Sequence, residues 1–392
     1  MSVRSRLCFL TLSPHPTIPY PPHSTPLQFD RVPTPLPSLF LRAHSVLLSR
    51  ARRPLFAAAL PASLTSLTLP LMAADSRTEF LQLLDRPLVP LAAHDGKPVA
   101  ADGLVQIAFS YAAEAGERVP GILVKTASST GRRPAVVAMH GTGGNKETQL
   151  AFLQRLARSG FVTVAIDGRH HGARSKTGTD SVEYVDAILR AFREGKEKPF
   201  FFDTAWDIMR LVDYLETRGD VDPKRIGLFG ISKGGIETYL AAAADPRIAV
   251  AVPCIAIQSF RWAVEHDSWQ SRIDTVRTAF DAAARDSGVA NPGAEFVRTF
   301  YSKVAPGIDG KFDGPVMVPL IAPRPLLSIN GEIDPRTPLP GVELCAEVTR
   351  ATYRAAGAEE NFVLRIQPKT GHQVLPESFD ASLEWFVRWL KP

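Results

Sequence analysis

Residues Arg225-Ile-Gly-Leu-Phe-Gly-Ile-Ser232-Lys-Gly-Gly235 run directly into Ile236-Glu-Thr-Tyr-Leu-Ala-Ala-Ala-Ala244. An apolar run of strand length, a Gly-x-Ser-x-Gly turn and a helix-forming segment follow one another without a linker. A strand that reverses into a helix within so few residues brings backbone against backbone. Gly230 and Gly234 are the residues that leave room for this, because a Cβ there would collide with neighbouring chain. Gly235 lets the new helix pack closely on a sheet. A serine at such a corner is lifted above the strand ends, where its hydroxyl can meet a ligand. The pentapeptide alone is a weak signal, and its strand-turn-helix setting is what constrains the fold.

The rest of the chain repeats the strand-helix alternation. Leu104–Tyr111 and Val119–Val124 flank a turn at 115–117 and predict an antiparallel hairpin. Pro134–Met139 is a fully apolar strand that ends in His140-Gly-Thr-Gly-Gly144, and Asn145–Arg158 has helical spacing with Gly160 as its stop. Phe161–Ile166 is the next strand, closed by Asp167-Gly168. Asp203 is placed as the cap of a helix through Arg218 that carries Trp206, Met209, Val212 and Leu215 on one face. Strands follow at Ile226–Phe229, Ile248–Pro253, Pro325–Asn330 and Phe362–Gln367, and helices at Val342–Ala356 and Phe379–Leu390. This is the pattern of one α/β domain with a mostly parallel sheet covered on both faces, over residues 76–392. Residues 256–320 interrupt it with helical stretches at Ser259–His266, Arg272–Arg285 and Ala294–Val304, an insertion placed to cap the site.

Composition separates this body from a leader. The formal charge is +5, but residues 1–71 hold seven of the 45 basic residues, all arginine, and one of the 40 acidic ones, Asp30. The remaining 38 basic and 39 acidic residues nearly cancel, which gives no electrostatic case for nucleic-acid binding. The leader also contains twelve of the 33 prolines, a composition that cannot build a core. Its acid-poor, Arg- and Ser-containing character is that of a transit peptide, and its hydroxyl and proline content points to the chloroplast. The competing expectation is translation from Met72 and a cytoplasmic protein. Pro61, Pro70 and four hydroxyl residues in Leu55–Ala74 argue against a membrane helix. Of the three cysteines, Cys8, Cys254 and Cys345, none has metal-ligand spacing, and the last two read as free thiols.

A serine hydroxyl needs a base, and the base needs an orienting acid. His372, between Gly371 and Gln373 after the last strand, is placed to be the base. Asp334, beyond the strand Leu326–Asn330, is placed to be the acid, with Glu332 as its alternative. The oxyanion of an acyl-transfer intermediate needs backbone donors. Lys233 N–H, directly after the serine, would be one. Thr142, with Gly141 and Gly143 near, would be the other. A phosphate-loop reading of the Gly-rich loop fails on the Walker spacing. Asp167-Gly-Arg-His170-His171-Gly172 reads as a structural turn rather than a metal site, and Lys233 and Glu237 as surface or packing groups. Phe200-Phe201-Phe202, Trp262, Trp269, Phe300 and Tyr301 are candidates either for an apolar acyl pocket or for core. No metal or organic cofactor is expected.

On His140–Gly144, Asp167–Gly172, Val221–Gly235, Asn330–Asp334 and Gly371-His372, the chain resembles the α/β-hydrolase superfamily over about residues 100–392. Its flavour is similar to dienelactone hydrolases, acetyl xylan esterases and prolyl-oligopeptidase catalytic domains. The chain order Ser232, Asp334, His372 is that of this fold. The resemblance implies Ser232 as nucleophile, His372 as base and Asp334 as acid, acting on a small-molecule ester. The nucleophile position holds Ser where dienelactone hydrolases have Cys. The propeller and Gly-Gly-Pro loop of the oligopeptidases are absent. Peptide cleavage is the first alternative function, and a hydrolase-fold receptor with little turnover the second.

Overall fold

The computed structural model describes residues 76–177 and 181–391. The leader expected over residues 1–71, with Cys8, lies outside these residues. The strands are β1 His94–Asp95, β2 Val99–Ala101, β3 Leu104–Glu114, β4 Glu117–Thr126, β5 Arg133–Met139, β6 Val162–Ile166, β7 Val221–Ile231, β8 Ile248–Cys254, β9 Leu326–Gly331 and β10 Phe362–Gln367. Nine of them lie in the order β1-β3-β4-β6-β5-β7-β8-β9-β10, with β2 paired to β3. The hairpin β3–β4 and its junction to β6 are antiparallel, and every pairing from β6 through β10 is parallel. Parallel strands are buried on both faces, which is why β6 reads Val-Thr-Val-Ala-Ile with all five residues buried.

Helix α1 covers residues 76–84. It is followed by α2 Leu150–Arg158, α3 Val182–Glu194, α4 Phe202–Thr217 and α5 Lys233–Ala244, all before β8. The sheet separates two apolar cores. Val137 and Met139 of β5 point into one with Leu211 of α4 and Ile236 of α5. Val136 and Ala138, their alternate neighbours, point into the other with Leu153 of α2. The period of two along one strand thus feeds both layers. The second layer is completed by Phe386, whose helix is the last of the chain. Each side chain of this size that is fully buried contributes about 1.5–3 kcal/mol.

Between β8 and β9 lie α6 Phe260–Glu265, α7 Gln270–Ile273, α8 Arg277–Asp286, α9 Ala294–Val304 and α10 Gly314–Met317. The expected continuous helix Arg272–Arg285 is broken by a 3-10 turn at Asp274–Val276. α11 Leu339–Ala355 and α12 Pro376–Leu390 complete the described chain.

Asp203 does not cap α4: the cap position is Phe201, at φ 84°, and Asp203 is the second residue of the helix, its Oδ2 accepting Lys198 N–H at 2.8 Å. The connection after β6 also contains α3, which was not anticipated. Its buried Phe192 meets Phe296 and Phe300 of α9, at ring separations of 6.1 and 5.7 Å. No described helix is long and apolar enough to cross a membrane.

Candidate active site

β7 ends at Ile231 and α5 begins at Lys233, so Ser232 alone makes the corner, at φ 55° and ψ −112°. A non-glycine residue with positive φ is strained, and the surrounding packing holds it there. A Cβ on Gly230 would lie 2.1 Å from Gly234 O, and one on Gly234 would lie 2.6 Å from His140 O. Both contacts are with backbone, so neither could be relieved by a side-chain rotation.

Ser232 Oγ lies 2.7 Å from His372 Nε2, and His372 Nδ1 lies 2.7 Å from Asp334 Oδ2. Three residues from three distant parts of the chain therefore meet in one hydrogen-bonded line. Asp334 is buried and accepts two further bonds, from Arg336 N–H at 2.8 Å and Thr337 Oγ1–H at 2.7 Å. The two acid-bearing and base-bearing loops are clamped at Gly331, where a Cβ would fall 2.4 Å from both Thr370 O and Gly371 O. Glu332, the alternative acid, is exposed and turned the other way, its Oε2 accepting Lys369 N–H at 2.7 Å.

The electrostatics suit a neutral imidazole beside an ionised carboxylate. Burial works to raise the Asp334 pKa, but the hydrogen bond from His372, its charge, and the Thr337 and Arg336 donors together hold it below the usual value. Burial, aided by the positive charges of Arg272 and Arg336, holds His372 below 6.5 despite Asp334. With the base required neutral, kcat/KM should rise as pH climbs through the depressed His372 pKa, with the midpoint of that limb below the ordinary imidazole value of about 6.5. Asp334 stays ionised throughout that range. A pH-rate profile checks this, and an acid limb centred above 6.5 would contradict it.

The Gly-rich loop is fixed at both ends. His140 Nε2 accepts Gly168 N–H at 3.0 Å, which leaves the proton on Nδ1 to be donated to Gly141 O at 2.8 Å. Burial and then the charge of Lys233 lower His140 to about 3, so the ring stays neutral. At the other end, Asp167 accepts Lys146 N–H and Lys146 Nζ–H, both at 2.8 Å. Between them, Gly141 and Thr142 lie beside Ser232. The backbone N–H groups of Thr142 and Lys233 have no hydrogen-bond partner among the described residues.

The histidine pair does not face a common ligand. His171 Nδ1 bonds Arg169 O at 2.7 Å, while His170 turns to Glu197 at 3.2 Å. Arg169 itself pairs with Asp207, at 2.9 and 3.0 Å. Lys233 and Glu237 are not surface groups. They form an ion pair whose side chains are 1% and 0% exposed, under the ring of Tyr184. Neither cysteine in the body is paired, and both are buried.

Two spaces open beside Ser232. A cavity of about 260 Å³ is lined by His372, Gln373, Val374, Arg336, Ile255 and Phe379, with Thr142 at its edge. A second recess, of about 10 Å³, shares Ser232 and Thr142 with it and lies among Phe200, Phe201, Lys233, Arg272 and Thr275. That is the room of about one water-sized group. Of the aromatic candidates only Phe200 and Phe201 line it. Phe300 and Tyr301 are core, and Trp262 stacks on His266 at 4.4 Å. Sequence reasoning did not find Arg272, Thr275 or Arg336, which no local pattern marks.

Residues 101–280 match the family model described as acetyl xylan esterase (AXE1). The "Putative hydrolase YtaP" of Bacillus subtilis is 26% identical over 287 residues, covering 70% of this chain and 84% of that protein. A 4-O-methyl-glucuronoyl methylesterase of Neurospora crassa is 26% identical over 190 residues, with 47% of this chain and 46% of that protein covered. Among solved structures, an acetyl xylan esterase from Paenibacillus sp. R4 superposes with a TM-score of 0.57 at 21% identity, covering 83% of this chain and 95% of that one. The acetyl xylan esterase 1 from Thermoanaerobacterium sp. gives 0.58 at 18% identity, covering 82% and 93%. With this sheet order and these structural neighbours, the chain has the α/β-hydrolase fold, and the family model and the Neurospora relative that it matches are those of carboxylic-ester hydrolases.

Proposed function

We propose that Ser232, His372 and Asp334 are the catalytic triad of an esterase that removes a short acyl group from a bulky, sugar-like alcohol. The chain is a serine carboxylic-ester hydrolase. In the proposed cycle Ser232 Oγ attacks the ester carbonyl carbon while its proton passes to His372 Nε2. The carbonyl oxygen becomes an anion facing the free N–H groups of Lys233 and Thr142, with Gly141 supporting the loop. Collapse breaks the bond to the alcohol, which takes the proton from Nε2 and leaves an acyl-serine. Water, losing a proton to the same nitrogen, then releases the acid and restores Ser232.

The observation that carries the finer reading is the unequal room of the two spaces that Ser232 lines. The alcohol leaves toward the group that protonates it, and the His372 side offers about 260 Å³. The recess that would take the carbonyl oxygen offers about 10 Å³, which leaves little room for acyl carbon beside it. An acetyl ester of a saccharide has this division, and the description of the matching family supports it. A methyl ester of a uronic acid, the substrate type in the name of the Neurospora relative, has the reverse division. A 4-nitrophenyl ester series of fixed leaving group tests the acyl side. Each step from acetate to butyrate to octanoate should lower kcat/KM by about tenfold or more, since overfilling a packed site costs about 1–3 kcal/mol. A rising or flat series would refute the short-acyl assignment.

A further inference from the structure

The insertion between β8 and β9 brings a buried cation to the nucleophile. Arg272, in α7, is 2% exposed, yet it lines the small recess with Ser232, Lys233, Thr142 and Thr275. Its Nη2 donates to Ile255 O at 3.1 Å and Ala256 O at 3.3 Å. Its Nε donates to the Gln258 side-chain oxygen at 3.2 Å, in the amide orientation that also lets Gln258 donate to Arg336 O at 2.8 Å. All of these acceptors are neutral. Among the described residues no carboxylate lies within ion-pair distance of the guanidinium, and Nη1 has no hydrogen-bond partner. The Thr275 hydroxyl oxygen, on the same recess, is buried and equally without a partner among the described residues. Burial lowers the Arg272 pKa to about 10, opposed chiefly by Asp334, so the group remains a cation at neutral pH.

A charge held out of water without a counter-charge is costly, and removing a partner from such a charge is what makes buried ions destabilising. With Asp334 as its main opposing charge and no carboxylate at ion-pair distance, Arg272 is only partly offset until a further negative charge arrives in the recess. The proposed reaction makes one there: the oxygen of the tetrahedral intermediate, facing the Lys233 and Thr142 N–H groups. We infer that Arg272 is a further electrostatic stabiliser of that anion, its charge carried to the site by the insertion and backed by the Thr275 hydroxyl. A carboxylate on the acyl group is the other anion a guanidinium could meet, but about 10 Å³ leaves no room for one beyond the carbonyl. The inference rests on the ester-hydrolysis reading above and gives the insertion a chemical task within it.

Arg272→Lys and Arg272→Gln separate charge from scaffolding. Both side chains are shorter than arginine and both can donate to the carbonyls of Ile255 and Ala256, but only lysine carries a charge. With 4-nitrophenyl acetate, Arg272→Gln should lose about 100-fold in kcat with KM within about threefold, the size seen when an oxyanion donor is removed. Arg272→Lys should retain at least about ten times the Gln variant's kcat. Affinity for phenylboronic acid, which becomes a tetrahedral anion on a serine, should fall in parallel with kcat. Equal kcat in the two variants overturns the inference, as does a kcat loss with undiminished boronate affinity. If both variants fail to fold, Thr275→Val decides, with about a three- to tenfold kcat loss expected and an unchanged kcat counting against the inference. Hydrolysis persisting in Ser232→Ala would instead remove the serine mechanism itself, an outcome distinguishable from either result at Arg272.

Discussion

Ser232→Ala should lower kcat for 4-nitrophenyl acetate by about 10⁴-fold or more, leaving the residual rate that binding and oxyanion donors supply. The loss is chemical, because the proposed cycle has no second route to an acyl-enzyme. Ser232 Oγ is the only atom removed, and its single side-chain bond is the one to His372 Nε2. The Ser232 side chain makes no capping bond to α5, so the helix loses no partner. The positive φ is shared by alanine and serine alike, and the glycines that permit the corner are untouched. Thermal midpoint should therefore move by no more than about 2–4 °C, the shift of about 1 kcal/mol in a domain of this size. A fluorophosphonate probe should label the parent chain and leave the variant unlabelled. Labelling of the variant, or turnover within tenfold of the parent, would show that another nucleophile does the work.

The outcome at Ser232 was the most legible part of the chain, and the reason is local. Strand, corner and helix are contiguous, so Gly230, Gly234 and the apolar run before them state the geometry within about fifteen residues. The meeting of Asp334 and His372 could be anticipated only from their positions after successive strands. What secures it, the close approach of Gly331 to Thr370 and Gly371, is a contact between loops 40 residues apart. Helix α3 had its helical spacing in view, with Tyr184, Ile188 and Ala191 on the buried side. Without the insertion to pack on, that stripe had no stated partner. Lys233, read as a surface or packing group, proves to be the latter. Its charge suggests solvent, but it sits at the first position of a helix that is buried all round, where only Glu237 one turn later offers a counter-charge. Arg272 was illegible for the same reason: which side of a short helix faces Ser232 is settled by tertiary packing alone.

Replacing Asp334 by Asn should cost on the order of 10⁴-fold in kcat, whereas Glu332→Gln should leave kcat within about threefold. The two carboxylates lie two residues apart, but only Asp334 Oδ2 reaches His372 Nδ1, at 2.7 Å. That contact keeps the proton on Nδ1 and leaves Nε2 free to accept from Ser232. An asparagine at 334 would keep the size and could still accept the Arg336 N–H through its oxygen, where Asp334 Oδ1 now does at 2.8 Å. Its amide NH₂ would then face His372, donate to Nδ1 and move the ring proton to Nε2. The base would be blocked with the fold intact, so KM should change little while kcat collapses. Glu332 has no such reach, since its carboxylate is spent on Lys369 N–H at the surface. Steady-state kinetics on both variants at pH 8, above the His372 acid limb, make the comparison. Comparable losses in the two, or a larger loss in Glu332→Gln, would reassign the acid.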